Sequence, residues 1–596
     1  MCGIFGIVTR DDQPLGELMH GAAQRLAYRG YDSVGMATIN EAGAVDLRKD
    51  VGKVDAVAER LKFSEMTGRR GMVQLRWATF GAPSSVNAQP HLDSDGDLVG
   101  AHNGNVVNNV ELREAFIAEG MTVRSTNDGE SCVHAVERYV DRGETIIDAI
   151  RHAYGVLEGD YAFVIASVDD ERLYAFKKGS GLVVGLGDDF TCCSSDLPSI
   201  LPLTDRIVRL RDGEIICLSA DGIEVWRVED GERIEHEAEV FTEGMDAAVK
   251  GGYDHFMLKE IHEQPARAGE LLHLLEASPH VASMVEAMRG ARHLYYVGCG
   301  TSYHACLVGA VYSARLAGRP VIPVLAPQFV AQYGPALDPT DVALFVSQSG
   351  ETKDVLNALE VAEANHVAGL GLVNVLGSTL THHSRAYLPL ACGYEISVPA
   401  TKTFVNQVVA FLYLALRMAG QPIDILTKLP DLIDRTIDET DPQVERLLDL
   451  FAERGDMYEL GYGLTYGIAL EGALKLKEIT YAHCEGMLST EFKHGPLSAV
   501  DEGYPVIFVV GPEDVPLLIS AINEVTTRGG RAIAIAEPDA RLAGNAHDLI
   551  SLPAAGPVLN PILATIPLQL LAYRLSLVRG LDPDFPRNLS KTLTVD

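Results

Sequence analysis

Two textures of apolar residues divide the chain. Over residues 1 to about 240, short β-branched and aromatic runs recur at 72–75, 98–101, 161–168, 172–176, 207–210 and 214–218, broken by turn residues. Such runs predict strands. Helical spacing shows at few places there, as at 17–27 and 129–140, so antiparallel sheets with helices packed on them are expected, an α+β architecture. Residues 229–252 are charged and aperiodic (Glu229, Asp230, Glu232, Glu235, Glu237), which suits a linker. From about residue 284, apolar strands alternate with long helices, the pattern of an α/β fold with a parallel sheet.

The second half repeats itself. His293-Leu294-Tyr295-Tyr296-Val297-Gly298-Cys299-Gly300-Thr301-Ser302-Tyr303 matches Asp456-Met457-Tyr458-Glu459-Leu460-Gly461-Tyr462-Gly463-Leu464-Thr465-Tyr466 at an offset of 163 residues, and the same offset lays 342–346 over 505–509. Two copies of one nucleotide-like or sugar-like domain are implied. They differ after the second strand, where the first copy has Ser347-Gln348-Ser349-Gly350-Glu351-Thr352 and the second has Val510-Gly511-Pro512-Glu513-Asp514. A turn rich in hydroxyls at a helix N-terminus can cradle a phosphate dianion. An ordinary N-cap needs only one Ser or Thr. Three hydroxyls within six residues favour an anion site in the first copy, and Pro512 argues that the second has lost it.

At 596 residues the chain exceeds one core and predicts roughly three or four domains. A net charge of −33 argues against nucleic acid or an anionic membrane as partner, because both are polyanions, so any phosphate must be caught by a local cradle. Such acidity also suits a salty habitat. The nine cysteines are scattered, odd in number and free of any CxxC pair, which disfavours a disulfide framework and a zinc site and points to a reducing cytoplasm. No charged segment followed by an apolar run opens the chain. The longest apolar candidate span, near 404–416, is short and contains Asn406 and Gln407. A soluble cytosolic protein is expected.

Removal of Met1 would leave Cys2 with a thiol and a free α-amino group on one residue. The amine, of pKa about 7.7 to 8.0, can take the proton of a thiol whose ordinary pKa is ~8.5, the logic of threonine enzymes that use their terminal amine as base. A second-position Cys alone has a bland reading too, since any short residue there permits Met removal.

The ordered set Cys2-Gly3-Ile4, Tyr28-Arg29-Gly30-Tyr31-Asp32-Ser33, Arg76-Trp77-Ala78-Thr79, His102-Asn103-Gly104, Asp128, Cys299-Gly300-Thr301-Ser302, Ser347 through Thr352, Glu471 through Glu478, Lys493-His494-Gly495-Pro496 and Pro586-Arg587-Asn588-Leu589 resembles, over nearly the whole chain, the glutamine-fructose-6-phosphate aminotransferases (isomerising). The resemblance implies an N-terminal-nucleophile glutaminase domain at 2–240, a linker and connecting helix at 241–283, two sugar isomerase (SIS) domains at 284–425 and 449–585, and a catalytic tail at 586–596. Ammonia passes between the halves in that family. The resemblance makes Cys2 the nucleophile, Asn103 and the Gly104 N–H the oxyanion hole, Arg76 and Asp128 the clamp on glutamine, and Trp77 and Thr79 part of its lid. Asn-Gly is also a strong hairpin signal.

In the sugar half, Ser347, Gln348, Ser349 and Thr352, with Thr301, Ser302 and Val398, would hold the sugar phosphate. Glu478, assisted by Lys475 three residues before it on one helix face, would move a proton between C1 and C2. His494 would open the sugar ring, and Lys591 would form an imine with the ketose. No metal and no organic cofactor are implied. Glutamine and a ketose phosphate, fructose 6-phosphate first, are the expected partners, and a homodimer the expected assembly. Leu75 and Phe80 in the lid, Gln89 before Pro90-His91, Pro399 and Ala400 after Val398, and Thr490-Glu491-Phe492 depart from the family pattern. They leave open a paralogue aminating another ketose phosphate, and a sensor that binds sugar phosphate without transferring nitrogen.

Overall fold

The computed structural model describes residues 2–240, 250–589 and 591; residues 241–249 of the expected linker and 590 and 592–596 of the expected tail lie outside the described residues. Two compact units are present, and their boundary falls between 240 and 250.

In the first unit the apolar runs become antiparallel strands. Gly3–Gln13 lies between Phe190–Ser194 and Gly68–Arg76 in an eight-stranded sheet, while Leu98–Val106 pairs with Gly159–Ser167 in a seven-stranded one. Alternation along each strand sends one set of side chains to each face. Ile4, Val8, Ala37 and Met72 of one sheet share a core with Val99, Ala101, Ala162 and Val164 of the other. The outer face of the second sheet, with Phe163, Ile165 and Phe176, is covered by the helices Asp128–Val140 and Ile146–Val156, and Leu15–Arg25 packs on Gly68–Arg76. Within the expected linker the structure differs: Arg233–Ile234 and Glu239–Val240 are two-residue strands, the latter pairing with Arg206–Arg209. Pairings that short have no alternation to display in a sequence.

The second unit holds two five-stranded parallel sheets with one strand order. The first runs Ile322–Leu325, Leu294–Gly298, Val342–Ser347, Ala368–Val373, Ala386–Pro389; the second runs His483–Leu488, Asp456–Gly461, Pro505–Val509, Arg531–Ala536, Asp548–Ser551. The repeat thus covers every strand of both sheets. The two strands that follow Leu294–Gly298 in the chain lie on opposite sides of it, so the winding reverses there. Ligands of such sheets settle outside the carboxyl ends at this reversal, and the turns at 299–302 and 347–352 leave from those two ends.

Among the described residues one helix, Asn560–Val578, is long and apolar enough to cross a membrane. It is buried in the core against Leu429–Glu445 and Tyr466–Thr480. The span singled out by hydropathy, 404–416, falls in the equally buried helix Lys402–Ala419. Core helices and membrane helices are both apolar all round.

Candidate active sites

Sheet register places Cys2. Gly3 lies opposite Leu75, so Cys2 continues alongside Arg76 and Trp77. The Trp77 N–H donates to Cys2 Sγ at 3.3 Å, and the Cys2 carbonyl accepts from Arg29 Nε at 3.1 Å. Burial pushes the Cys2 thiol up from its ordinary range; Asp128 adds to this and Arg76 opposes it. A thiol so raised needs a base, the part its own α-amino group would take once Met1 is removed.

Asn103 lies inside the strand Leu98–Val106, not in a hairpin turn. Gly104 beside it is left-handed at φ +106°, and a Cβ there would stand 2.0 Å from the Asp160 carbonyl oxygen, so only glycine fits. The Asn103 amide is buried, and neither its nitrogen nor its oxygen has a hydrogen-bond partner. A fixed, unspent N–H donor is what a developing oxyanion requires. Gln89 holds this segment in place: its Oε1 accepts the His102 N–H at 2.7 Å and its Nε2 donates to the His102 carbonyl at 3.1 Å.

Arg76 is buried at the end of its strand. Its Nη2 donates to the carbonyls of Phe80 and Gly81, while Nη1 and Nε have no hydrogen-bond partner. Burial lowers its pKa, against the pull of Cys2 and Asp128. Asp128, buried at the start of its helix, accepts from the Val106 N–H at 3.0 Å and from Asn127 Nδ2 at 3.2 Å. A buried guanidinium short of partners beside a buried carboxylate matches the α-carboxylate and α-amino group of an amino acid. Trp77 is half-buried, its ring edge-on to Tyr31 at 5.8 Å, and Thr79 is exposed in the loop after the strand.

In the sugar half, Ser347 Oγ accepts the Gly350 N–H at 3.0 Å and lies 3.1 Å from Thr352 Oγ1, and Ser349 Oγ accepts the Glu351 N–H at 3.1 Å. Thr352 occupies the N-cap of Lys353–Ala364 without a side-chain capping bond, so the ordinary-cap reading does not describe it. Gly350 is left-handed at φ +69°, and a Cβ would meet Ser378 Oγ at 2.0 Å. Gln348 is half-buried, and its carbonyl accepts from the Asn374 and Val375 N–H groups. At the adjacent strand end Gln407 Nε2 donates to Ser302 Oγ at 2.9 Å, which leaves the serine's own proton for another acceptor.

Thr301 ties this turn to the second repeat. Its hydroxyl donates to Glu471 Oε1 at 3.0 Å and accepts from Lys475 Nζ at 3.3 Å. Lys475 Nζ also lies 2.6 Å from Glu478 Oε2, and His304 Nδ1 lies 2.8 Å from Glu471 Oε2. Burial raises the Glu478 carboxyl, Lys475 pulls it back, and Glu471 adds to the rise. Burial also opposes the charge on Lys475, but Glu471 and Glu478 outweigh it and hold the ammonium.

Lys591 Nζ donates to Glu395 Oε2 at 2.6 Å and to the Ser397 carbonyl at 2.8 Å, next to Val398, whose N–H reaches the Asp584 carbonyl at 2.9 Å. His494 stands apart. It is exposed in the single turn Phe492–His494, and no hydrogen bond or ion pair among the described residues joins its ring to Glu478 or Lys475. Sequence reasoning gave no role to Glu471, Glu395 or Glu260. Glu471 lies four residues before Lys475, a spacing that could have flagged it; Lys591 lies 196 residues from Glu395, and Ile396 lies 136 residues from Glu260, beyond any local signal, although Glu395 also accepts from Thr401 and Thr403 close by in the chain.

Comparison with known proteins agrees with both halves. The glutamine amidotransferase domain profile matches residues 76–197, and the SIS domain profile matches 287–417 and 450–579. A glutamine–fructose-6-phosphate aminotransferase (isomerizing) from Methanothermobacter thermautotrophicus is 40% identical over 603 residues, covering 100% of both chains. One from Aquifex aeolicus is 38% identical with the same coverage. Among solved structures, the C-terminal domain of glucosamine-fructose-6-phosphate aminotransferase from Francisella tularensis is 31% identical with a TM-score of 0.52, covering 56% of this chain and 99% of that one.

Proposed function

The chain belongs to the family of glutamine–fructose-6-phosphate aminotransferases (isomerizing), and from that premise we propose that it joins ammonia from glutamine to fructose 6-phosphate with ketose-to-aldose isomerisation. The products are glucosamine 6-phosphate and glutamate. Its substrates are glutamine and a sugar phosphate; fructose 6-phosphate, a homodimeric assembly and a cytoplasmic setting belong to the proposal.

In this reading Cys2 Sγ attacks the carboxamide carbon of glutamine held by Arg76 and Asp128, and Asn103 and Gly104 receive the oxyanion. Ammonia leaves, and water hydrolyses the thioester to glutamate. At the sugar, the turn 347–352 with Ser302 holds the phosphate, Lys591 activates the ketose carbonyl as an imine, and ammonia displaces the lysine. Glu478 then takes a proton from C1 and returns one to C2, which leaves the aldehyde at C1 and the amine at C2. The observation that carries this reading is that Lys475 touches both Glu478 and Thr301: the proton-moving pair is joined to the turn that also carries Ser302.

The test is a product assay with purified protein, amide-¹⁵N glutamine and a panel of ketose phosphates, read by mass spectrometry. Labelled glucosamine 6-phosphate from fructose 6-phosphate is expected. Amination of another ketose only would favour the paralogue suggested by Pro399 and Ala400, and no amino sugar from any member would favour a sensor.

A further inference from the structure

Both acceptors of the Lys591 ammonium are themselves fixed from within the protein. Glu395 Oε1 accepts the N–H groups of Thr401 and Thr403 at 2.9 and 3.0 Å, and its Oε2 accepts Thr403 Oγ1 at 2.8 Å alongside Lys591 Nζ at 2.6 Å. Glu395 is 4% exposed. The second acceptor, the Ser397 carbonyl, belongs to a segment whose Ile396 and Ser397 N–H groups both donate to Glu260 Oε1, at 2.5 and 3.2 Å. Glu260 comes from the helix Phe256–Ala277 and is itself buried. The carboxylate of Glu395 is thus a rigid anion whose position does not depend on the lysine.

We propose that Glu395 is the counter-ion of the iminium that Lys591 forms with the ketose phosphate, a role that rests on the reading of Lys591 as the imine-forming residue. The balance of the step makes the need plain. Lys591 enters as an ammonium and the bound ketose as a neutral carbonyl at C2. The nitrogen forms the bond to that carbon, the carbonyl oxygen takes two of the nitrogen's three protons and leaves as water, and the resulting C=N retains one proton and one positive charge. A cation is therefore present before and after, in a site 10% exposed at the lysine side chain. An anion that stays in place across the step lowers the cost of that buried charge. An iminium kept protonated is also the more electrophilic form, the one ammonia must attack.

The charges around Glu395 support this assignment. Lys402 donates to Glu263 Oε2 at 2.6 Å and to the Tyr394 carbonyl, so it is committed elsewhere. Burial works against a charge on Glu395, but Lys591 and the Thr401 and Thr403 donors hold its carboxyl down at about 2. Glu260 stands in the opposite state, pushed up to about 8 by burial, with Lys402 and Lys591 opposing the rise and Glu395 adding to it. The Cys392 thiol, which also feels Glu395, is driven up by burial and stays neutral, and Glu478, a second carboxyl that feels Lys591, is itself raised by burial. At neutral pH Glu395 is the anion against Lys591.

The test is reductive trapping on the full chain. Protein and fructose 6-phosphate, without glutamine, are treated with cyanoborohydride, which reduces the protonated C=N, and the adduct on the Lys591 peptide is quantified by mass spectrometry across pH. Wild type is expected to trap at Lys591. Glu395→Gln is expected to trap at least ~10-fold less at pH 8, with the alkaline fall-off of trapping moved to lower pH, a shift that a merely structural role would not produce. Equal trapping with an unmoved profile would overturn the counter-ion role while leaving Lys591 in place. No adduct on Lys591 in wild type would overturn the lysine reading and the proposal with it. Should Glu395→Gln fail to fold, Glu395→Asp, which withdraws the anion by one methylene, is expected to shift the fall-off the same way by less, and a wild-type profile in that variant would overturn the proposal.

Discussion

Lys475 Nζ lies 2.6 Å from Glu478 Oε2, and 3.2 Å on its other side stands Glu471 Oε1. One buried cation thus serves two carboxylates, and only Glu478 is raised; burial works against charge on both, but Lys475, His304 and Thr301 lower Glu471. The arrangement separates a carboxylate held down by its cation from one that burial raises.

If Glu478 is the base, the acid limb of sugar-dependent kcat/KM follows its carboxyl. Glu471→Gln removes a like charge and is expected to move that limb to lower pH, whereas Lys475→Met removes the opposing charge and moves it to higher pH. Glu478→Gln should cost ~10²- to 10⁴-fold in rate. Rate–pH profiles with ammonium salts in place of glutamine isolate the sugar half, and a limb unmoved in both variants would remove Glu478 from the role.

Arg76→Lys keeps the positive charge and discards the planar fork that meets a carboxylate with two bonds. A lost charge-assisted bond is worth ~1.5–3 kcal/mol, so kcat/KM for glutamine should fall about 10- to 100-fold while synthesis driven by ammonium salts is unaffected. An equal loss in both assays would count against the clamp.

Gly350→Ala forces a side chain into the left-handed region and onto Ser378 Oγ, 2.0 Å from where the Cβ would sit. The strain of ~1–3 kcal/mol falls on the turn that would hold the phosphate. KM for the sugar phosphate should rise about 5- to 100-fold, with glutamine hydrolysis retained; steady-state kinetics against each substrate separates the two.

His134 is a different kind of titrating group. Burial opposes its charge, but Glu130 and Glu137, its neighbours at 3.7 and 2.5 Å, lift it to about 9. Its folded pKa stands above the ordinary 6.5, so the stability it contributes is complete below that value and is lost as pH rises through about 9. Glu130, held at about 2 against the effect of burial by His134, Ser125 and Arg124, has the opposite sign, and its contribution fades as pH falls from 4.5 through 2. The thermal stability of the glutaminase unit should therefore fall as pH rises from 6.5 through about 9, and again in strong acid. His134→Gln, which leaves both carboxylates buried without their cation, should cost ~3–5 kcal/mol and flatten the alkaline slope.

The chemistry in these predictions was legible in the chain to differing depths. The strands at 72–75 and 98–101 follow from short, mostly apolar runs, every residue of which is buried, and the helix at 129–140 from its helical spacing. The repeat of 163 residues displayed both sheets, since duplicated strands carry duplicated patterns. The clamp on His102 by Gln89 was visible only as a departure from a family pattern, and its meaning came from two backbone bonds that no spacing encodes. Glu395 and Glu260 gave no signal at all: a carboxylate reads as a surface residue until the fold shows what donors close over it.

The helix Asn560–Val578 carries a consequence for how the protein is made. It supplies core to three helices, Phe256–Ala277, Leu429–Glu445 and Tyr466–Thr480, and just after it Asp584 accepts the N–H groups of Phe256 and Met257, the first residues of the first of these. A ribosome delivers that helix last. For most of translation the sugar half carries an open apolar seam, and it can close only when nearly the whole chain has emerged. Nascent chains halted before residue 560 should therefore be clients of chaperones, while the glutaminase unit, whose strands all come from residues 3–240, has long since been free to fold.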